Sequence, residues 1–113
     1  GCQAHYLQHL REAATGLRAK MRPGARLVLG GPYANGLYTE QHHLPVLRAV
    51  LDAIRTWAEV DLVLDFLQPS IHAGTGRWAE GMERDFAHPN KVGHQAMFRC
   101  FTIADVLGPF DVP

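Results

Sequence analysis

Arg26-Leu27-Val28-Leu29-Gly30-Gly31-Pro32 is the stretch on which the fold turns. Its centre, Leu27-Val28-Leu29, is an unbroken apolar run, too short for a helix and closed by two glycines and a proline. A strand that is apolar on both faces belongs inside a parallel sheet, where helices cover it above and below. A second run of the same kind, Leu62-Val63-Leu64, lies within Asp61 to Phe66. Between the two, Leu44, Leu47, Leu51, Ile54 and Trp57 recur at helical spacing. Strand, helix and strand make a βαβ unit, and its crossover is expected to be right-handed.

The loop that leaves the first strand runs from Pro32 to Tyr38, with Asn35-Gly36 as its turn signal. Thr39 and Glu40 are a cap and a first-turn acid for the next helix. Pro45 leaves two starts open: a helix beginning near Leu44 with the proline in its first turn, or an initial turn kinked at the proline.

Working outward, Ala4 to Met21 reads as an amphipathic helix with Leu7, Leu10, Ala14, Leu17 and Met21 on one face. Arg22-Pro23-Gly24 ends it. On the other side, Leu67 to Ala87 is irregular and punctuated by Pro69, Gly74, Gly76 and Gly81. Such long connections in small chains are usually functional. The last helix is expected from Asn90 or Lys91 to Leu107, with Ala96, Cys100, Ile103, Ala104 and Leu107 facing inward and Gly108-Pro109 as its stop. Cys100 is accordingly read as a small buried hydrophobe.

With 113 residues, the chain holds one domain at most. Eleven basic residues balance eleven acidic ones, so there is no basic field for nucleic acid or an anionic membrane surface. No apolar run approaches the ~20 residues that span a bilayer. Two cysteines do not make a disulfide framework. Seven histidines will turn the net charge positive as pH falls through their range. Two strands apolar on both faces would leave an edge unpaired if they were the whole sheet. The chain is therefore expected to be the C-terminal part of a larger doubly wound sheet. The opening Gly1 agrees with a fragment and leaves the compartment open.

Ligands of parallel sheets bind beyond the carboxyl ends of the strands. The segment that returns there is Asp85-Phe86-Ala87-His88-Pro89-Asn90. A spacing of three lets the Asp85 carboxylate accept a hydrogen bond from one ring nitrogen of His88, which fixes the tautomer and leaves the other nitrogen as a proton acceptor. Pro89 holds His88 outside the helix, and Asn90 is a good N-cap. His94 lies more than half a helical circle away and reads as a packing residue. His5 with His9, and His42-His43 with His72, lack a complete metal-ligand spacing, so no metal is expected. Tyr33, Tyr38 and Trp78 are candidate substrate-binding residues, and Asp65 is expected to bond loop backbone.

Asp85-x-x-His88-Pro89-Asn90 followed by Gly93-His94-x-x-Met97-Phe98 resembles the last block of the SGNH (GDSL-type) hydrolases. The preceding order is similar too: Val28-Leu29-Gly30-Gly31, Tyr33, Tyr38-Thr39, Val63-Leu64-Asp65-Phe66-Leu67 and Gly76-Arg77-Trp78. The resemblance covers the chain from about Gly24 onward. It implies the C-terminal part of a flavodoxin-like three-layer α/β/α sandwich with a parallel sheet, and ester hydrolysis by a Ser-His-Asp triad. That chemistry needs neither a metal nor an organic cofactor. By that resemblance His88 is the base and Asp85 its orienter. The family's nucleophile and oxyanion blocks have no counterpart here. Ser70, the one serine of the chain, stands in Gln-Pro-Ser-Ile, which is not the nucleophile block. The implied partner is an ester-bearing small molecule, carbohydrate or lipid, and the N-terminal part of the domain is needed. The alternative is a non-catalytic carbohydrate- or peptide-binding module or a degenerate family member.

Overall fold

The computed structural model of the chain describes residues 1–72 and 74–108. Its first element, α1 (Cys2–Lys20), is capped by Met21, two residues before Pro23, which could not continue it. Then come β1 (Val28–Gly30), α2 (Leu44–Ile54) and β2 (Leu62–Leu64). The two strands pair in parallel, with Val28 opposite Leu62, Leu29 opposite Val63 and Gly30 opposite Leu64. This is the expected βαβ unit. The helix begins at Leu44 with Pro45 in its first turn, which settles between the two starts.

The register sorts the strand side chains, because alternate residues point to opposite faces. Leu29 and Val63 pack with Leu7, Leu10 and Leu47 against a core of Leu44, Val50, Leu51, Ile54, Trp57 and Leu67. Ile54, at 1 % exposure, is its centre. Gly31 is on this side, and a methyl group there would meet Leu51 Cδ1 at 3.0 Å. Val28, Leu62, Gly30 and Leu64 face the other way, where the Phe66 ring lies over Gly30. Every residue of the two strands is half-buried except Gly30, which is exposed. The chain is thus a small mixed α/β structure whose parallel strands meet the core through Leu29 and Val63 and are no more than half-buried throughout.

Polar ties fix the layers. The Asp61 carboxylate accepts from the Leu27 amide at 2.7 Å and pairs with Arg18 at 2.9 Å, joining α1 to the starts of both strands. The Leu27 amide, with Arg18, holds the Asp61 carboxyl below its ordinary range. Arg11 spans from α1 to Glu59 at 3.2 Å and lies 5.7 Å from the centre of the Trp57 ring.

The segment expected to be irregular is more ordered than its glycines suggested. It holds α3 (Leu67–Ser70) and β3 (Glu83–Asp85), and β3 pairs antiparallel with β4 (His88–Pro89). The last helix is not continuous. It divides into α4 (Lys91–Phe98) and α5 (Ile103–Leu107). Thr102 starts the second with a reciprocal capping box to Asp105, which satisfies backbone donors that a continuous helix would have used itself. The break turns side chains outward. Ile103, Ala104, Leu107 and Cys100 are exposed, and α5 buries no residue, against the expectation of an inward face. Arg26 anchors α5 instead, donating to the carbonyls of Val106 at 2.9 Å and Asp105 at 3.3 Å. Pro109 of the predicted helix stop lies outside the described residues. No described helix is long and apolar enough to cross a membrane.

Candidate active site

Asp85 ends β3 and His88 begins β4, so a tight turn of Phe86 and Ala87 joins them. The turn is built on one carboxylate oxygen. Asp85 Oδ1 accepts the Ala87 amide at 2.9 Å and the His88 amide at 3.0 Å, the usual way an aspartate organises the residues just after it. The same oxygen lies 2.8 Å from His88 Nδ1. The His88 side chain, then the Ala87 amide, hold the Asp85 carboxyl below its ordinary range, so it is ionised at neutral pH. An ionised carboxylate only accepts, which makes Nδ1–H the donor and leaves Nε2 of the neutral ring as an acceptor. This is the arrangement expected from the spacing. The His88 side chain is 66 % exposed, and the pair is open to a reactant.

Asn90 does more than cap. Its Oδ1 accepts the Gly93 amide at 3.0 Å, starting α4, while its Nδ2 donates to the Gly81 carbonyl at 2.7 Å. Its own amide donates to the Met82 carbonyl at 2.7 Å. One residue therefore locks the start of α4 to the chain just before β3. Gly93 permits that closeness: a methyl group there would come 2.7 Å from Pro89 Cβ and 2.8 Å from the Met82 carbonyl oxygen.

Two cavities flank His88, and Tyr33 lines both. One, of 500 Å³, is walled by Tyr6, Tyr33, Asn35, Tyr38, Val50 and His88 among others. The other, of 390 Å³, is lined by Tyr33, Phe66, His88, Met97, Phe98 and Phe101, with His94 at its side. Mostly apolar clefts with a few polar groups are the usual form of small-molecule sites. Tyr33 and Tyr38 thus stand beside the candidate base. Trp78 is buried and lines neither cavity. Its ring centre lies 5.8 Å from that of Tyr33, and its indole N–H donates to the Phe86 carbonyl at 2.9 Å. Spacing gave no signal of that bond.

Ser70 is fully buried. Its Oγ accepts the Ala34 amide at 3.0 Å and donates to the Leu67 carbonyl at 3.2 Å, so it ties α3 to the loop after β1. A hydroxyl so enclosed reaches no substrate. Asp65 bonds backbone, but at the start of α3 rather than in a loop: it accepts the Leu67 and Gln68 amides at 3.0 Å each, and it also meets Arg55 at 3.3 Å. His43 stacks on Tyr38 with ring centres 5.0 Å apart, and the His5 and His9 rings meet edge to face. Among the described residues, no three His, Cys, Asp or Glu side chains gather as a metal site.

No protein-family model, no curated protein and no solved structure matches the chain.

Proposed function

We propose that this chain carries the base and its orienter for a serine-type ester or acyl hydrolase. The reading rests chiefly on one observation, the 2.8 Å Asp85 Oδ1–His88 Nδ1 contact at the lip of a helix, with the ring open between two cavities. In this reading His88 Nε2 takes the proton of a serine hydroxyl as its oxygen attacks the ester carbonyl. The proton then passes to the leaving alcohol, and an acyl-enzyme remains. Water, deprotonated by the same nitrogen, releases the acid. Asp85 keeps the tautomer and stabilises the imidazolium.

Ser70 is enclosed, so the nucleophile belongs to a segment upstream of Gly1, together with the oxyanion donors. The chain is then the C-terminal part of a flavodoxin-like α/β/α sandwich within the SGNH hydrolases. The half-covered strands support this, since a parallel sheet is ordinarily covered on both faces. The substrate is an ester of a small molecule, carbohydrate or lipid. No nucleic acid, metal or organic cofactor enters the scheme.

The test is hydrolysis of an acetyl ester by the protein extended with its upstream coding sequence. His88→Ala lowers kcat by about 10⁴-fold or more, and Asp85→Asn by less. Near-normal turnover by His88→Ala sinks the assignment. The enclosed Ser70 also favours a second reading, a non-catalytic module that binds carbohydrate or peptide along Tyr33 and Tyr38. An upstream sequence without a Gly-Asp-Ser block, with saccharide binding lost in Tyr33→Ala, decides for it.

A further inference from the structure

The Phe86 carbonyl sits in the middle of the turn that presents His88, and it accepts two hydrogen bonds. Trp78 Nε1–H reaches it at 2.9 Å and the Gly36 amide at 2.7 Å. The donors come from two separate segments, the loop after β1 and the stretch before β3, and neither belongs to the hairpin. The hairpin has little support of its own. All of β3 is exposed, and of β4 only Pro89 is buried. Two-stranded hairpins are at best marginal in water, so their geometry is set by what they dock on.

Both donors are themselves fixed. Trp78 is 6 % exposed, bridges Ile71 through its backbone and lies against Tyr33. A buried indole N–H requires an acceptor, and this one finds it in Phe86. Gly36 approaches so closely that a methyl group would stand 3.2 Å from Phe86 Cα and 3.0 Å from Glu83 Oε1. We infer that Trp78 and Gly36 are positioning residues that clamp the Asp85–His88 turn through the Phe86 carbonyl. Trp78 acts from beneath the site and needs no contact with substrate. The clamp's meaning for catalysis rests on the hydrolase reading, but its geometry does not.

The experiment compares Trp78→Phe, which keeps a ring but removes the donor, with Gly36→Ala in the 15N-labelled chain. Amide exchange is followed at Ala87 and His88, whose N–H groups bond Asp85, together with the imidazole Nδ1–H resonance. Trp78→Phe loses one hydrogen bond of ordinary net strength, which opens the turn about 5-fold more often, while Gly36→Ala keeps its amide and opens the turn by pressing a methyl group against Phe86 Cα. Exchange at Ala87 and His88 should quicken by that factor and the Nδ1–H signal should weaken, with β1 and β2 amides unchanged. Unchanged exchange at Ala87 and His88 overturns the clamp. So does equal acceleration across β1 and β2, or failure of both variants to fold, since either marks general packing. If Trp78→Phe alone fails to fold, Gly36→Ala decides. In the upstream-extended protein, the same variants should lower kcat for an acetyl ester with KM little changed. Should that protein be inactive, the hydrolase reading fails while the exchange result stands.

Discussion

Two glycines in helices should respond to alanine in opposite directions. Gly16 lies in α1 and Gly93 in α4, both with helical backbone. Replacing glycine by alanine inside a helix stabilises by about 0.8–1 kcal/mol through propensity alone. At Gly16 nothing lies within 4 Å of the added methyl, so that gain is realised. At Gly93 the methyl meets Pro89 Cβ at 2.7 Å, the Met82 carbonyl oxygen at 2.8 Å and Met82 Cβ at 3.3 Å. None of these can retreat cheaply. The proline ring is rigid, and the Met82 carbonyl is held by the Asn90 amide at 2.7 Å. Overpacking of this kind costs about 1–3 kcal/mol. The propensity gains cancel in a comparison of the two variants, so Gly93→Ala should be less stable than Gly16→Ala by the overpacking term alone. Urea unfolding followed by far-ultraviolet circular dichroism measures the difference. The clash reasoning is refuted if the two variants shift the midpoint in the same direction by the same amount. Relief of the clash should also move α4 away from the hairpin, visible as a changed His88 Nδ1–H resonance.

Ser70→Ala leaves the Ala34 amide without its acceptor in a buried site, which costs about 1–3 kcal/mol. It should leave ester hydrolysis by the extended protein intact once stability is allowed for, as turnover and unfolding measured side by side will tell. Asn90→Ala removes the α4 cap and should cost about 0.5–2 kcal/mol, read from the urea midpoint and from faster exchange of the Gly93 amide. Asp85 has its carboxyl depressed in the folded turn, so its contribution is present above the ordinary carboxylate value. That contribution is lost as pH falls through the lower folded one. Protection of the Ala87 and His88 amides should therefore fade on acidification, stay level with pH in Asp85→Asn, whose side-chain oxygen still accepts but does not titrate, and be absent from Asp85→Ala, which amide protection between about pH 2 and 7 will report.

The βαβ unit was legible because its residues carry one periodicity each. Leu27-Val28-Leu29 and Leu62-Val63-Leu64 are too short and apolar to be helices, and Leu44, Leu51 and Ile54 are buried where the helical pattern places them, while Trp57 is buried just beyond the end of α2. The Asp85–His88 contact was legible for another reason, since it is local and needs only a turn. What spacing hid is long-range or aperiodic. The bond from Trp78 to Phe86 joins a side chain to a backbone carbonyl, and any residue type offers that carbonyl. The β3–β4 hairpin is too short to show alternation. The break after α4 did leave a trace, Thr102-x-x-Asp105, a capping box masked by apolar residues that continued the helical rhythm through it. Had that motif outweighed periodicity, Cys100, Ile103 and Leu107 would not have been expected inside.

The locality of the Asp85 turn also has a meaning in time. Its three bonds close over two or three residues, whereas pairing β1 with β2 joins positions 34 apart, such as Val28 and Leu62. Closing a longer stretch of chain loses more entropy and is slower, while hairpins form within about 1–10 μs. Aspartate and imidazole can therefore find each other on the nascent chain before the sheet beneath them exists. The slow event is the arrival of Gly36, 50 positions before Phe86, which converts a fleeting encounter into a lasting geometry.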